Sequence, residues 1–173
     1  MSLDLGTDTS ALYPNRFNNL VGVAFGQSLS QNSTLTRLGL SGVGIGRLPG
    51  KGIDAQNLTA SSFGHMLRAN NTLEVLSISN NQLGTGGCVI LWEGLMHNRS
   101  LKVLDMSKNG AGPEVGVVMG QVIGGKHSGI EVLDFSSNPI GPNGISSMVS
   151  SLIGNNRLRS LDISHTDMQV ISP

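Results

Sequence analysis

One nine-residue unit returns along the chain. It reads Leu73-Glu-Val-Leu-Ser-Ile-Ser-Asn-Asn81, then Leu101-Lys-Val-Leu-Asp-Met-Ser-Lys-Asn109, Ile130-Glu-Val-Leu-Asp-Phe-Ser-Ser-Asn138 and Leu158-Arg-Ser-Leu-Asp-Ile-Ser-His-Thr166. Successive starts are 28, 29 and 28 residues apart. Upstream, Leu35-Thr-Arg-Leu-Gly-Leu-Ser-Gly-Val43 is the same unit, 38 residues before Leu73, and Leu3-Asp-Leu-Gly-Thr-Asp8 is a truncated copy. A unit of this length cannot enclose its own apolar face. Stacked copies can, by sharing one continuous core.

The spacing of apolar residues changes inside each repeat. Leu104 with Met106, and Leu133 with Phe135, alternate with polar or smaller residues, the mark of a strand with one buried face. Beyond the asparagine the period lengthens to that of a helix. Leu83, Gly87, Leu91 and Leu95 form one inward stripe, as do Ala111, Val115, Met119 and Ile123, and Ile140, Gly144, Met148 and Leu152. Phe17, Val21, Phe25 and Leu29 are the matching stripe of a first helix, and Phe63 and Leu67 of a second. The pattern predicts an α/β solenoid of six parallel strands inside and helices outside, a single domain over residues 1–173. Asn81, Asn109 and Asn138 fall at the turn after the strand, where a side-chain amide can pair backbone groups of neighbouring turns. This ladder is expected to be structural and to break at Asp8, Val43 and Thr166.

The consensus L-x-x-L-x-L-x-x-N resembles the leucine-rich-repeat family, over nearly the whole chain. The period and the helix in each repeat resemble its ribonuclease-inhibitor-like class, which implies a right-handed horseshoe arc. Two kinds of repeat protein are similar in detail. NOD-like receptors share the junction seen at Asn98-Arg-Ser-Leu101. CARMIL-type regulators of actin capping protein share junctions like Gly94-Leu-Met-His-Asn-Arg-Ser-Leu-Lys102 and strands like Leu161-Asp-Ile-Ser-His-Thr166. The resemblance implies a great deal about fold and very little about function.

Composition narrows the function classes. Eleven basic and eleven acidic residues cancel, and charged residues are 13% of the chain, so the basic surplus that phosphate backbones require is missing. Aromatics are 3%, too few for stacking platforms. Nucleic acid is therefore not an expected partner. Neither is a membrane, since no apolar run approaches the roughly 20 residues of a span. Residues 1–15 lack the basic start and apolar run of a signal peptide, and the lone Cys88 excludes an internal disulfide. Both features lead us to expect a cytoplasmic, reducing location.

The first candidate site is the hollow of the sheet. Alternation sends one row of side chains there as Arg37, Val75, Val103, Val132 and Ser160. A second row is Asp4, Gly39, Ser77, Asp105, Asp134 and Asp162, and a third is Ser41, Ser79, Ser107, Ser136 and Ser164. Three stacked aspartates, one strand spacing of ~4.8 Å apart, would welcome a basic group on a partner, and the valines would supply apolar contact. The alternative is that Asp and Ser here serve the repeat itself. Parallel carboxylates do not converge on an ion, so no metal is expected.

The second candidate is a loop rim. About ten extra residues lie between Val43 and Phe63, and the first unit is also long, with Thr9-Ser-Ala-Leu-Tyr-Pro-Asn15 before its helix. Both leave the strand at the same point of consecutive repeats, so Tyr13, Arg47, Leu48 and Lys51 are expected side by side, as a binding rim or as a tolerated insertion. Trp92 aligns with Gly64 and Gly120, which points to packing between adjacent helices. Asn32, Asn57, Asn70 and Asn98 each begin a glycosylation-type triplet, and are read as turn residues that the repeat generates. His65, His97, His127 and His165 are dispersed, and Gly124-Gly125-Lys126 lacks the flanks of a phosphate loop. No catalytic residues or cofactor are predicted.

The expected function is a non-catalytic scaffold that binds another protein through the hollow and the loop rim. The competing expectations are an architectural repeat of a cytoskeletal or ciliary assembly, and a GTPase-activating repeat protein using Arg37 or Arg47. The chain opens almost directly on a strand and stops soon after the sixth, which leads us to expect a piece of a longer protein or assembly. Uncovered ends of this kind would self-associate, or fray at residues 1–15 and 160–173, with Leu161 and Ile163 the exposed-core candidates and Met168 and Ile171 folding back as a makeshift cap.

Overall fold

The computed structural model describes residues 1–6, 15–17, 19–46, 53–126 and 128–167, with only the backbone of residues 19 and 53–57. The elements are β1 (Ser2–Asp4), α1 (Asn19–Gln31), β2 (Arg37–Gly39), α2 (Ile53–Ala69), β3 (Val75–Ser77), α3 (Gly84–Leu95), β4 (Val103–Asp105), α4 (Val115–Ile123), β5 (Val132–Asp134), α5 (Gly141–Ser150) and β6 (Ser160–Asp162). The strands form one parallel sheet in chain order, β1 through β6. Helices follow strands without a reversal, so each repeat lies beside the one before it.

The predicted rows are reproduced by the pairing register. Arg37 pairs with Val75, Val75 with Val103, Val103 with Val132 and Val132 with Ser160. Between those rows Leu38, Leu76, Leu104 and Leu133 point into the core, all at 2% exposure or less. Leu40, Ile78, Met106 and Phe135 form the next buried layer. The helical stripes close the core from the other side through Phe63, Leu67, Leu83, Leu91, Leu95, Val115, Met119, Ile123 and Met148. Leu152, Phe17 and Phe25 are only partly buried against it.

One stripe residue departs from expectation. Val21 is 40% exposed, although it keeps the spacing of Phe25 and Leu29. It lies in the first turn of α1, next to Leu20, which is also exposed.

Glycines set how closely the helices approach. A methyl group at Gly116 of α4 would run into the backbone carbonyl of Gly144 on α5, and one at Gly94 of α3 into that of Gly64 on α2. Trp92 was expected between Gly64 and Gly120, but those glycines oppose Ile90 and Ser147–Ser151. The indole instead turns inward. It is fully buried and meets Phe135 edge-on, with ring centroids 6.3 Å apart.

The asparagine ladder is the internal scaffold of the turns. Asn81 accepts the backbone N–H groups of Gly44 and Ile45 on Oδ1, at 2.8 and 3.2 Å, while Nδ2 donates to the carbonyls of Leu40, Ile78 and Ser79. Asn109 and Asn138 repeat the arrangement one and two repeats on. All three are 0% exposed, so these groups have no access to water in place of the amide. Where the ladder breaks, Thr166 caps its own turn by donating to the Ile163 carbonyl at 2.8 Å, and the carbonyl of Val43 accepts from Phe17. Asp8 lies outside the described residues.

A second ladder closes the opposite turns. Asn70 donates Nδ2 to the carbonyls of Leu29 and Asn32 and accepts Thr72 and Leu73 on Oδ1. Asn98 does the same one repeat later, on Leu67, Asn70, Ser100 and Leu101. Both are buried with their amides committed, as turn residues should be. The triplets at these two positions are therefore products of the repeat.

Candidate functional site

The hollow of the sheet is lined by short strands whose outward residues alternate with the core leucines. Arg37 and Val132 are exposed there, and Val75, Val103, Ser77, Asp105, Asp134 and Ser136 are partly exposed. Asp162 and Ser164 are exposed on the last strand. The register places Ser77, Asp105, Asp134 and Asp162 in one row across β3 to β6.

The aspartates have a local duty as well. Asp105 Oδ1 accepts the backbone N–H of Ser107 at 3.0 Å, Asp134 Oδ1 that of Ser136 at 2.9 Å and Asp162 Oδ1 that of Ser164 at 2.9 Å. Asp4 does so with Gly6 at 2.9 Å. Each carboxylate thus fixes the turn that leaves its strand. The Ser164 N–H and hydroxyl hold the Asp162 carboxyl below the usual carboxylate range, with the His165 side chain adding a smaller pull.

The row is not uniform. Asp105 also accepts the hydroxyl of Ser77 on Oδ2 at 2.8 Å and that of Ser107 on Oδ1 at 2.8 Å. Ser77 and Ser79 are in turn bonded to Ser41, at 2.7 and 2.9 Å. A closed polar chain therefore runs from Ser79 to Ser107 across β2 to β4. Ser107 ends buried, at 7% exposure, and offers a partner little. Among the described residues Asp134, by contrast, is held through the Ser136 N–H, and Asp162 through Ser164 alone, by its N–H and its hydroxyl.

The loop-rim residues Tyr13, Arg47, Leu48 and Lys51 lie outside the described residues, as do Met168 and Ile171. Cys88 is buried in α3, and desolvation pushes its thiol up to about 12. The buried thiol is therefore held protonated near neutral pH. Among the described residues no group of three or more His, Cys, Asp or Glu is placed to hold a metal ion. Among the described residues no helix is long and apolar enough to cross a membrane.

The Leucine Rich repeat family profile matches residues 69–89, 97–114 and 130–149, each match beginning at or near the turn or strand of one repeat. No curated protein matches the chain. Together with the strand–helix periodicity, these matches give the chain the architecture of a leucine-rich-repeat solenoid. Its repeat fold is of a kind typical of protein–protein interaction modules.

Proposed function

We propose that this protein is a non-catalytic interaction scaffold that grips another protein in the hollow of its sheet. The observation that carries the reading is the partly open row Val75, Val103 and Val132 beside Asp134 and Asp162. It offers apolar contact flanked by carboxylates that retain acceptor capacity. The partner segment would bring an aliphatic or aromatic side chain to the valines and a cation to Asp134 or Asp162. The loop rim carrying Tyr13, Arg47, Leu48 and Lys51 is proposed as a second contact, supported by its position in the repeat order.

The ribonuclease-inhibitor-like class is the subclass we favour, because repeats of 28 or 29 residues with a full helix are its hallmark. We place the protein in the cytoplasm, a reading supported by its single, buried cysteine.

The test is charge reversal in the hollow. Asp134→Lys combined with Asp162→Lys should weaken capture of the partner from native cells by at least about tenfold while circular dichroism is unchanged. Val117→Lys on the convex side, at a residue 55% exposed, should leave capture intact. Equal capture by the double variant and the wild type would remove the hollow from the interface.

A further inference from the structure

The chain is neutral overall, but its cations are not evenly spread. Arg68 lies in the last turn of α2. Arg99 lies between α3 and β4, Lys126 between α4 and β5, and Arg157 between α5 and β6. All four occupy the same step of the repeat, where a helix hands over to the next strand. The topology therefore brings them to one rim. All four are exposed, and none has an ion-pair partner among the described residues.

Two further cations stand at the strand starts of the same rim, and both are matched. Lys102 pairs with Glu74 at 2.7 Å and Arg159 with Glu131 at 3.7 Å. Glu93 lies one turn back, on the convex side of α3. The rim thus keeps a positive surplus on a chain whose total charge is zero.

We infer that this helix-end rim, through Arg68, Arg99, Lys126 and Arg157, docks an acidic segment of a partner protein. It is a surface separate from the hollow. Adjacent packed helices are typically about 8–10 Å apart. A polyproline-II segment has three residues per turn and advances ~3.1 Å per residue, so a carboxylate at every third residue would face the rim and meet one cation per repeat. An acidic segment fits better than a lipid surface or nucleic acid. Glu74 and Glu131 interrupt the row, and a segmented partner can step over them where a uniformly anionic plane or duplex cannot. Exposed large apolar side chains at these helix ends are, among the described residues, Met96, Val149 and Ile153, too few to anchor in a bilayer, and the tryptophan is buried.

The experiment uses a fluorescein-labelled peptide with glutamate at every third position and serine or glycine between, titrated by anisotropy with the whole chain. Binding is expected, weakening as salt rises. Arg99→Glu with Arg157→Glu should raise Kd by about tenfold or more, because attraction becomes repulsion at two exposed sites. Lys108→Glu, a cation on the opposite rim, should change it little. Asp134→Lys with Asp162→Lys should not weaken it, so the rim and the hollow stand or fall separately. The proposal is overturned if the peptide does not bind, or if the Arg99/Arg157 variant binds as well as the wild type. It is also overturned if phosphatidylserine vesicles or duplex DNA bind through this rim more tightly than the peptide.

Discussion

The side-chain oxygen of Asn109 accepts the backbone N–H of Asn81 at 3.0 Å, which ties the turn of one repeat to the turn of the next. The same amide donates to the carbonyls of Ile78, Met106 and Ser107. Asn109→Ala would orphan the buried Asn81 N–H and remove one of two donors from each of three carbonyls, which keep Asn81, Asn138 and Asn80 as partners. One orphaned buried group costs about 1–3 kcal/mol and the lost hydrogen bonds add to it, so a loss of at least about 2 kcal/mol is expected in urea denaturation. Asn109→Ala with stability within about 1 kcal/mol of the wild type would show that the ladder is not a structural requirement.

The core prediction concerns Leu104 and Leu133, adjacent in the sheet and each 1% exposed. Replacing either by alanine should cost ~2–5 kcal/mol, because the surrounding layers cannot collapse into the space. Because they are in contact, the double variant should not be additive, and chemical denaturation of all three variants measures the coupling.

Much of this was legible in the sequence, and the reasons differ by feature. The spacing from Leu76 to Leu104 to Leu133 determined which residues pair, because a one-residue slip would expose every leucine. The concave rows followed directly. The role of the aspartates as turn caps was also present, in Asp105-Met-Ser107, Asp134-Phe-Ser136 and Asp162-Ile-Ser164, but the spacing between repeats drew attention to repulsion between strands instead. The contact of Trp92 with Phe135 was not legible, since periodicity says which face a residue occupies and not where a large ring points. The basic rim was hidden for another reason. Arg68, Arg99, Lys126 and Arg157 sit at slightly different offsets, and only the fold gathers them.

Left-handed backbone supplies a prediction of the opposite sign. Lys108 is exposed and has φ 56°, in a turn where most L residues are strained. Lys108→Gly relieves that strain at the cost of a more flexible unfolded chain. The net should lie between neutral and about 1 kcal/mol of stabilisation. Lys108→Val, β-branched at the same φ, should be destabilising, and thermal melts of the pair give the ordering.

Helix contact predicts a steric penalty. Gly116→Ala would push a methyl group into the Gly144 carbonyl, and backbone cannot yield as a side chain can. A loss of about 1–3 kcal/mol is expected. Gly110→Ala meets nothing nearby but has φ 71°, so its smaller penalty should come from strain alone.

Cys88 predicts a pH dependence. Its thiol rises from an ordinary 9.0 to about 12 in the fold, so above pH 9 the unfolded chain loses a proton that the folded chain keeps. Stability should therefore fall as pH rises from about 9 towards 12, and Cys88→Ala should flatten that part of the profile. The folded protein should also resist iodoacetamide at pH 8.

The most direct test of the account places a photo-crosslinking residue at Val132, in the hollow, and at Val117, on the convex helices, and irradiates native cells expressing each variant. The account predicts a discrete protein adduct from position 132 and none from position 117, with the adduct lost when Asp134→Lys and Asp162→Lys are added. Adducts from position 117 alone, or from neither position, would contradict a protein partner held in the hollow.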